Sequence, residues 1–227
     1  MIIASCATIY ERRDMLKESI DSLKSQVDLV VVNCGYDDCL SDFENVVFRP
    51  HNEKQPSEAK FRLGSIIENA SWHFTFDDDI HYPANYVAKH LETHSKFENP
   101  IISCVHGSVF LKSPMENYFS DRRLIRLQKK SKQTTCHSCG TGTICYSPSA
   151  IRFLKSDFDH NNMDDLYVSK KASKHGIPVV AVARPARWLR INRNNKKTPR
   201  ICSSARRRTK KLTSLANEIL ENSFLEI

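Results

Sequence analysis

The stretch Phe74-Thr75-Phe76-Asp77-Asp78-Asp79-Ile80 constrains the chain more than any other. Aromatic and β-branched residues mark a buried strand, and here they run directly into three adjacent carboxylates. Neighbouring negative charges repel one another and cannot be buried unpaired. A divalent cation removes both problems. Carboxylate oxygens suit Mg²⁺ or Mn²⁺, above all where diphosphate oxygens complete the octahedron. His81-Tyr82-Pro83 follows, and Pro83 turns the chain into a helix predicted over residues 84–94. The acidic group is thereby placed on a short loop at the carboxyl end of a strand, where open α/β sheets bind ligands. An isolated acidic triplet would read as a solvated turn capping the next helix. The apolar strand before it and the helix after it favour the ligand-binding reading.

Upstream, residues 2–9 are predicted as a strand, followed by the polar loop Thr8-Ile9-Tyr10-Glu11-Arg12-Arg13 and a helix striped by Met15, Leu16, Ile20 and Leu23. Residues 29–32 form an unbroken apolar run typical of a buried parallel strand. Turn residues Asn33-Cys34-Gly35-Tyr36-Asp37-Asp38 end it. A short strand over 46–48 and a helix over 57–69 lead to the acidic stretch. Strand, helix, strand, strand, helix, strand is an α/β order. If the strands are parallel, the loops 8–13, 33–38 and 77–79 share one sheet edge.

The second half is more mixed. Residues 101–105 and 108–111 are strand candidates, pairing across His106-Gly107. Residues 118–138 read as a polar, basic loop, 143–146 as a short strand, and Ser147-Pro148-Ser149 as the cap of a helix ending at Leu154. A helix over 164–175 is ended by Gly176, and 179–183 is a last strand. Residues 212–225 carry an apolar helical stripe suited to docking on the domain or on a partner. The division expected is a domain over 1–190 and a basic linker with a terminal helix over 191–227.

With 227 residues, 40% of them apolar, the chain can bury the core of one domain with an appendage. No apolar run approaches a membrane span. The apolar start, residues 1–4, lacks a basic n-region and is too short for a signal peptide. Eight cysteines then point to reduced thiols and a cytoplasmic setting. Cys136-His137-Ser138-Cys139 has metal-ligand spacing, but no second C-x-x-C completes a structural zinc site. Net charge is +8, and residues 184–211 hold twelve Arg or Lys and no Asp or Glu. That stretch is read as a solvated linker. Contact with an anionic membrane surface is the second option and would suit a lipid-linked acceptor. Nucleic-acid binding is not expected, because Trp188 is the only aromatic there to stack a base.

Five motifs in order resemble the GT-A fold glycosyltransferases, especially the family 2-like inverting enzymes, over residues 1–185. They are Ala7-Thr8-Ile9-Tyr10-Glu11-Arg12, the acidic strand end after Val32, Asp77-Asp78-Asp79 as a D-x-D type motif, Gly140-Thr141-Gly142, and Met163-Asp164-Asp165-Leu166 as the E-D element at a helix start. The resemblance implies a mixed, mostly parallel sheet flanked by helices, with a C-terminal helical appendage. It also implies metal-dependent, inverting transfer of a sugar from a nucleoside diphosphate sugar to a hydroxyl of a glycan or glycoconjugate acceptor. UDP is favoured as the commonest carrier in that family.

On this resemblance Asp79 and Asp77 would hold Mn²⁺ or Mg²⁺ as a Lewis acid for the departing diphosphate, Asp79 foremost. Asp78 would face ribose or sugar. Asp165 would be the general base, with Asp164 as the neighbouring alternative. The structural alternative for that pair is helix capping and dipole compensation. Thr8, Tyr10 and Arg12 match the base-contacting loop, Tyr10 stacking on uracil and Thr8 bonding its edge. Asp37 or Asp38 would hold base or ribose. Lys60 and Arg62 would reach the nucleotide or its phosphates, or else form a solvated helix face. Gly140, Thr141 and Gly142 would let backbone approach the sugar, or make a plain turn. The family's late His is missing, so Arg184, Arg187 or Arg190 would neutralise diphosphate instead, while His81 and His106 are expected to be surface or loop groups rather than ligands. The alternatives are a sugar-nucleotide nucleotidyltransferase, whose glycine-rich loop after the first strand is absent from residues 8–13, and a basic nucleic-acid-binding module with a structural acidic loop.

Overall fold

Two strands near the amino terminus lack the alternation of a half-exposed strand, and their place in the molecule explains it. β1 (Ile2–Thr8) and β2 (Leu29–Cys34) are buried along almost their whole length, as parallel strands covered on both faces must be. Helix α1 (Arg13–Leu23) connects them and turns Met15, Leu16, Ile20 and Leu23 inward. β3 (Val46–Pro50), β4 (Trp72–Thr75), β5 (Ile80–His81), α2 (Tyr86–His94), β6 (Ile102–Cys104) and β7 (Gly107–Phe110) follow. Then come β8 (Arg122–Ile125), β9 (Thr134–Cys136), β10 (Ser138–Cys139), β11 (Cys145–Tyr146), α3 (Asp164–Lys174), β12 (Val179–Ala181), β13 (Arg190–Ile191) and α4 (Thr209–Glu221). The computed structural model describes residues 1–34, 44–50, 57–159, 162–192 and 208–223.

The main sheet has eight strands in the order β3-β2-β1-β4-β11-β6-β12-β9. β1 to β4 run parallel, β6 and β12 share their direction, and β11 and β9 run against it. An antiparallel strand begins at the edge where its parallel neighbours end. The residues leading into β11 and β9 therefore come to the carboxyl edge of β1, β4 and β12. A small sheet, β10-β7-β8, and a ribbon of β5 with β13 complete the strands. The largest apolar cluster joins α1 and α2 to the sheet through Leu16, Ile20, Phe74, Tyr82 and Tyr86. A second cluster lies under α3, with Ile144, Phe153 and Val168. The C-terminal helix α4 packs Leu212, Leu215, Ala216 and Ile219 into a third. Lys170 and Glu218 (2.6 Å) tie it to α3. Cys6, Cys104, Cys136, Cys139 and Cys145 are free thiols, all of them buried. Among the described residues no helix is long and apolar enough to cross a membrane.

Several expected elements differ. The single helix over 57–69 is two 3-10 segments, Ser57–Phe61 and Gly64–Asn69, broken where Gly64 takes a φ of +58°. The expected hairpin over 101–111 does not form, because β6 pairs with β11 and β12 while β7 joins the small sheet. Residues 118–138 contain β8 and β9 rather than one long loop. No helix follows Ser149. There Ile151 and Phe153 are buried while Leu154 is exposed, an extended-chain arrangement that a helix could not give.

Candidate active site

β1 lies between β2 and β4, whose onward connections leave in opposite directions, so the crevice at its carboxyl end is a topological switch point. The acidic loop follows β4 into this crevice, and its three carboxylates meet different surroundings. Asp78 is 3% exposed. The Thr8 hydroxyl donates to its Oδ2 and Arg12 Nη1 to its Oδ1, each at 2.6 Å. Burial raises its pKa in spite of Arg12 and Thr8. Asp78 thus laces the β1 loop to the acidic loop. Thr8 and Arg12, both expected in a base-contacting loop, are bonded to Asp78.

Asp77 is 40% exposed and sits 2.7 Å from the Nζ of Lys60, itself only 5% exposed. Burial acts against both charges. The pair overrides it, so Asp77 falls below the usual carboxylate range and Lys60 rises above the usual amine, helped by Asp164 and Asp165. The Asp77 backbone N–H donates to the Tyr82 hydroxyl (2.9 Å), which donates in turn to the Gly142 carbonyl (2.9 Å). Asp79 is the carboxylate left over. It is 32% exposed, and Arg12 Nη1 lies 3.9 Å away. Burial, with Asp77 and Asp78 beside it, pushes its pKa to about 6.

Across the crevice stands the loop leading into β11. The Thr141 N–H (2.8 Å) and hydroxyl (2.9 Å) both donate to Oδ1 of Asp165. Asp165 is exposed at the start of α3 and is spent on this loop rather than on capping its own helix. Asp164 is buried, which pushes its pKa to about 6 against the pull of Lys60. Its Oδ1 has no hydrogen-bond partner among the described residues. The glycines of this loop make room for neighbouring side chains. A Cβ on Gly142 would collide with the Asp77 carboxylate, and one on Gly140 with the His106 ring.

His106 lies in the loop between β6 and β7, as expected of a surface or loop group, but it is partly buried, with Nδ1 3.1 Å from the Thr143 hydroxyl. Burial lowers its pKa, opposed by Asp165 and Asp77. Its place against Gly140 and the bridging role of Tyr82 were both missed. Gly140 was the one signal for His106, because it marks the space that ring fills, and nothing in the sequence marked Tyr82. Arg62 is ion-paired with the buried Glu58 (2.6 Å). Tyr10 is exposed, under the guanidinium of Arg13 at 4.9 Å. Asp37 and Asp38 lie outside the described residues. Arg184 is buried and donates to the carbonyls of Arg126 (2.9 Å) and Val182 (3.2 Å), not into the crevice. The Cys136 and Cys139 thiols belong to the second core, and the His137 ring accepts from the Phe110 N–H (3.0 Å). Among the described residues no three His, Cys, Asp or Glu side chains are grouped to hold a metal ion.

A mostly parallel sheet, a carboxylate loop at its switch point and a C-terminal helix define the class: this is the GT-A glycosyltransferase fold. The structure is similar to that of the mannosyltransferase PcManGT from Pyrobaculum calidifontis, solved in complex with GDP-Man and Mn²⁺, with a TM-score of 0.52 and 11% sequence identity. The match covers 81% of this chain and 54% of that one, so the chain spans about half the neighbour's length. No protein-family model matches the sequence, and no curated protein sequence matches it.

Proposed function

We propose that the chain is a metal-dependent, inverting glycosyltransferase that moves a sugar from a nucleoside diphosphate sugar to a hydroxyl of a glycan or glycoconjugate. The observation that carries this reading is the division of labour in the triplet. Lys60 neutralises Asp77, Arg12 and Thr8 hold Asp78, and Asp79 is left charge-crowded at the mouth of the switch point. A carboxylate in that state favours a cation. Mg²⁺-type ions are held by one or two protein carboxylates with substrate phosphates supplying the rest, so Asp79 with Asp77 fits without a third protein ligand. When bound, Mn²⁺ or Mg²⁺ would stabilise the negative charge of the departing diphosphate.

The chain's own groups do the remaining work. Lys60 and Arg12 supply fixed positive charge beside the place where charge develops. Asp165 takes the proton of the attacking hydroxyl. It is open to solvent, and its Oδ1 is held by two donors from Thr141, which orients the carboxylate. Tyr82 holds the acidic loop against the β11 loop, and so holds metal ligands and base in register. UDP is favoured by resemblance alone, and the structural neighbour was solved with GDP-Man, so both carriers belong in the test.

The test is donor binding and slow donor hydrolysis with UDP-glucose and GDP-mannose, each with and without Mn²⁺. Asp79→Ala is expected to lose the Mn²⁺-dependent part with its near-UV circular dichroism unchanged. Asp165→Asn is expected to bind donor as wild type does and to lose transfer. Absence of binding by any nucleotide sugar, with or without metal, would overturn the reading.

A further inference from the structure

The segment leaving β12 runs through Arg184 and Trp188 before β13 returns it to the acidic loop, where the Asn192 N–H donates to the Asp79 carbonyl (2.7 Å). Between this segment, the start of α2 and residues 130–133 lies an open cavity of about 530 Å³. It opens at the edge that carries the acidic loop, since β12 ends there and β9, running oppositely, begins there.

Its wall is cationic. Lys89, Lys130, Lys132 and Arg184 line it, and among the described residues no carboxylate does. Lys89 is paired outside the wall with Glu92 (2.9 Å). Lys130 and Lys132 make no ion pair among the described residues. Arg184 is 4% exposed, and its guanidinium donates only to backbone carbonyls of Arg126, Leu127 and Val182. It is hydrogen-bonded, but among the described residues no carboxylate pairs with its charge, and burial lowers its pKa. Backbone bonds in both directions between Ser131 and Arg184 (3.0 and 2.9 Å) fix the lysine-bearing loop against that arginine. A buried cation without a counter-ion, with two further cations at the rim, is stabilised by an arriving anion.

The rim also carries a rigid flat ring. The Trp188 indole N–H donates to Asn85 Oδ1 (3.0 Å), and the ring lies 5.8 Å from that of Tyr86. Cations beside a fixed aromatic face match a molecule with a phosphate next to a ring.

We propose that this cavity docks a phosphorylated sugar, with Lys130 and Lys132 taking the phosphate and Trp188 receiving the ring. Resting on the glycosyltransferase reading, it makes the acceptor a phosphate-bearing one, free or lipid-linked. The test uses the full chain and titrates glucose 6-phosphate against glucose by calorimetry. In parallel, phosphatidylcholine vesicles with and without phosphatidic acid are tested for co-sedimentation. Glucose 6-phosphate should bind at least about tenfold more tightly than glucose, a preference lost in Lys130→Glu/Lys132→Glu. Both lysines are exposed, so the double variant should keep the wild-type circular dichroism. Trp188→Leu should weaken glucose 6-phosphate more than inorganic phosphate. Vesicle binding that needs phosphatidic acid and the same two lysines, without binding of the free sugar phosphate, assigns the phosphate to a lipid and supports the site. Equal binding of the two sugars with no lysine-dependent vesicle binding overturns it, as does wild-type affinity in the double variant, or lysine dependence seen only with single-stranded RNA. Asp79→Ala should leave this binding intact. Failure of donor binding with glucose 6-phosphate binding preserved would count against the enzymatic reading alone, and the reverse against the docking site alone.

Discussion

Asp77, Asp78 and Asp79 are the same side chain three times over, yet a lysine, an arginine with a threonine, and burial beside two other carboxylates set their behaviour apart. The contrast has a pH signature. Asp79, with a folded pKa of about 6, binds its proton more tightly folded than unfolded. Below the ordinary carboxylate pKa it costs nothing, and stability is lost as pH rises from there to about 6. Asp79→Asn should therefore be more stable than wild type at about pH 8, by about 1–2 kcal/mol after allowing for its partial exposure. Mn²⁺ should raise the melting temperature of wild type and leave that of Asp79→Asn unchanged. Thermal denaturation with and without Mn²⁺ checks both. The acidic loop was legible in sequence because apolar residues run into it without a break. The partners of each aspartate were not, because Thr8 and Lys60 reach the loop only through the fold.

Elements failed to announce themselves where tertiary contacts outvoted local pattern. Residues 57–69 have helical composition, but Gly64 turns through a positive φ with the Arg49 guanidinium 3.5 Å from where its Cβ would stand. Gly64→Ala should cost about 1 kcal/mol, seen as a lower urea midpoint at an unchanged slope. Helix α2 was foreseen, but what anchors it was not. His90 Nδ1 (2.7 Å) and His94 Nε2 (2.9 Å) converge on the Ser103 hydroxyl of β6. Burial lowers these histidines to about 3 and about 4. A depressed histidine contributes fully above its unfolded pKa and loses that contribution as pH falls toward the folded value. The urea midpoint of His90→Leu should accordingly depend less steeply on pH than that of wild type between about pH 6.5 and about pH 4. Two-residue strands such as β11 carry too few residues to display any periodicity, so its direction could be learned only from its neighbours.

At the scale of the molecule, the order of strands and helices in the first half gave the class of sheet and the edge on which its loops gather. The second half hid its plan. It moves between two sheets, and β6 and β7, adjacent in sequence, belong to different ones. The reversal at β11 matters most, since it carries Gly142 and Thr141 to face an acidic loop that lies far from them in the chain. A lone phenol joins these two banks. Through Tyr82, the amide of Asp77 and the carbonyl of Gly142 share one oxygen. Tyr82→Phe keeps the ring and severs the tie, so donor affinity should survive while turnover falls, a split that separate measurement of KM and kcat would expose. A hydroxyl buried beneath the crevice would then govern not what the protein can hold, but whether the parts it holds arrive together.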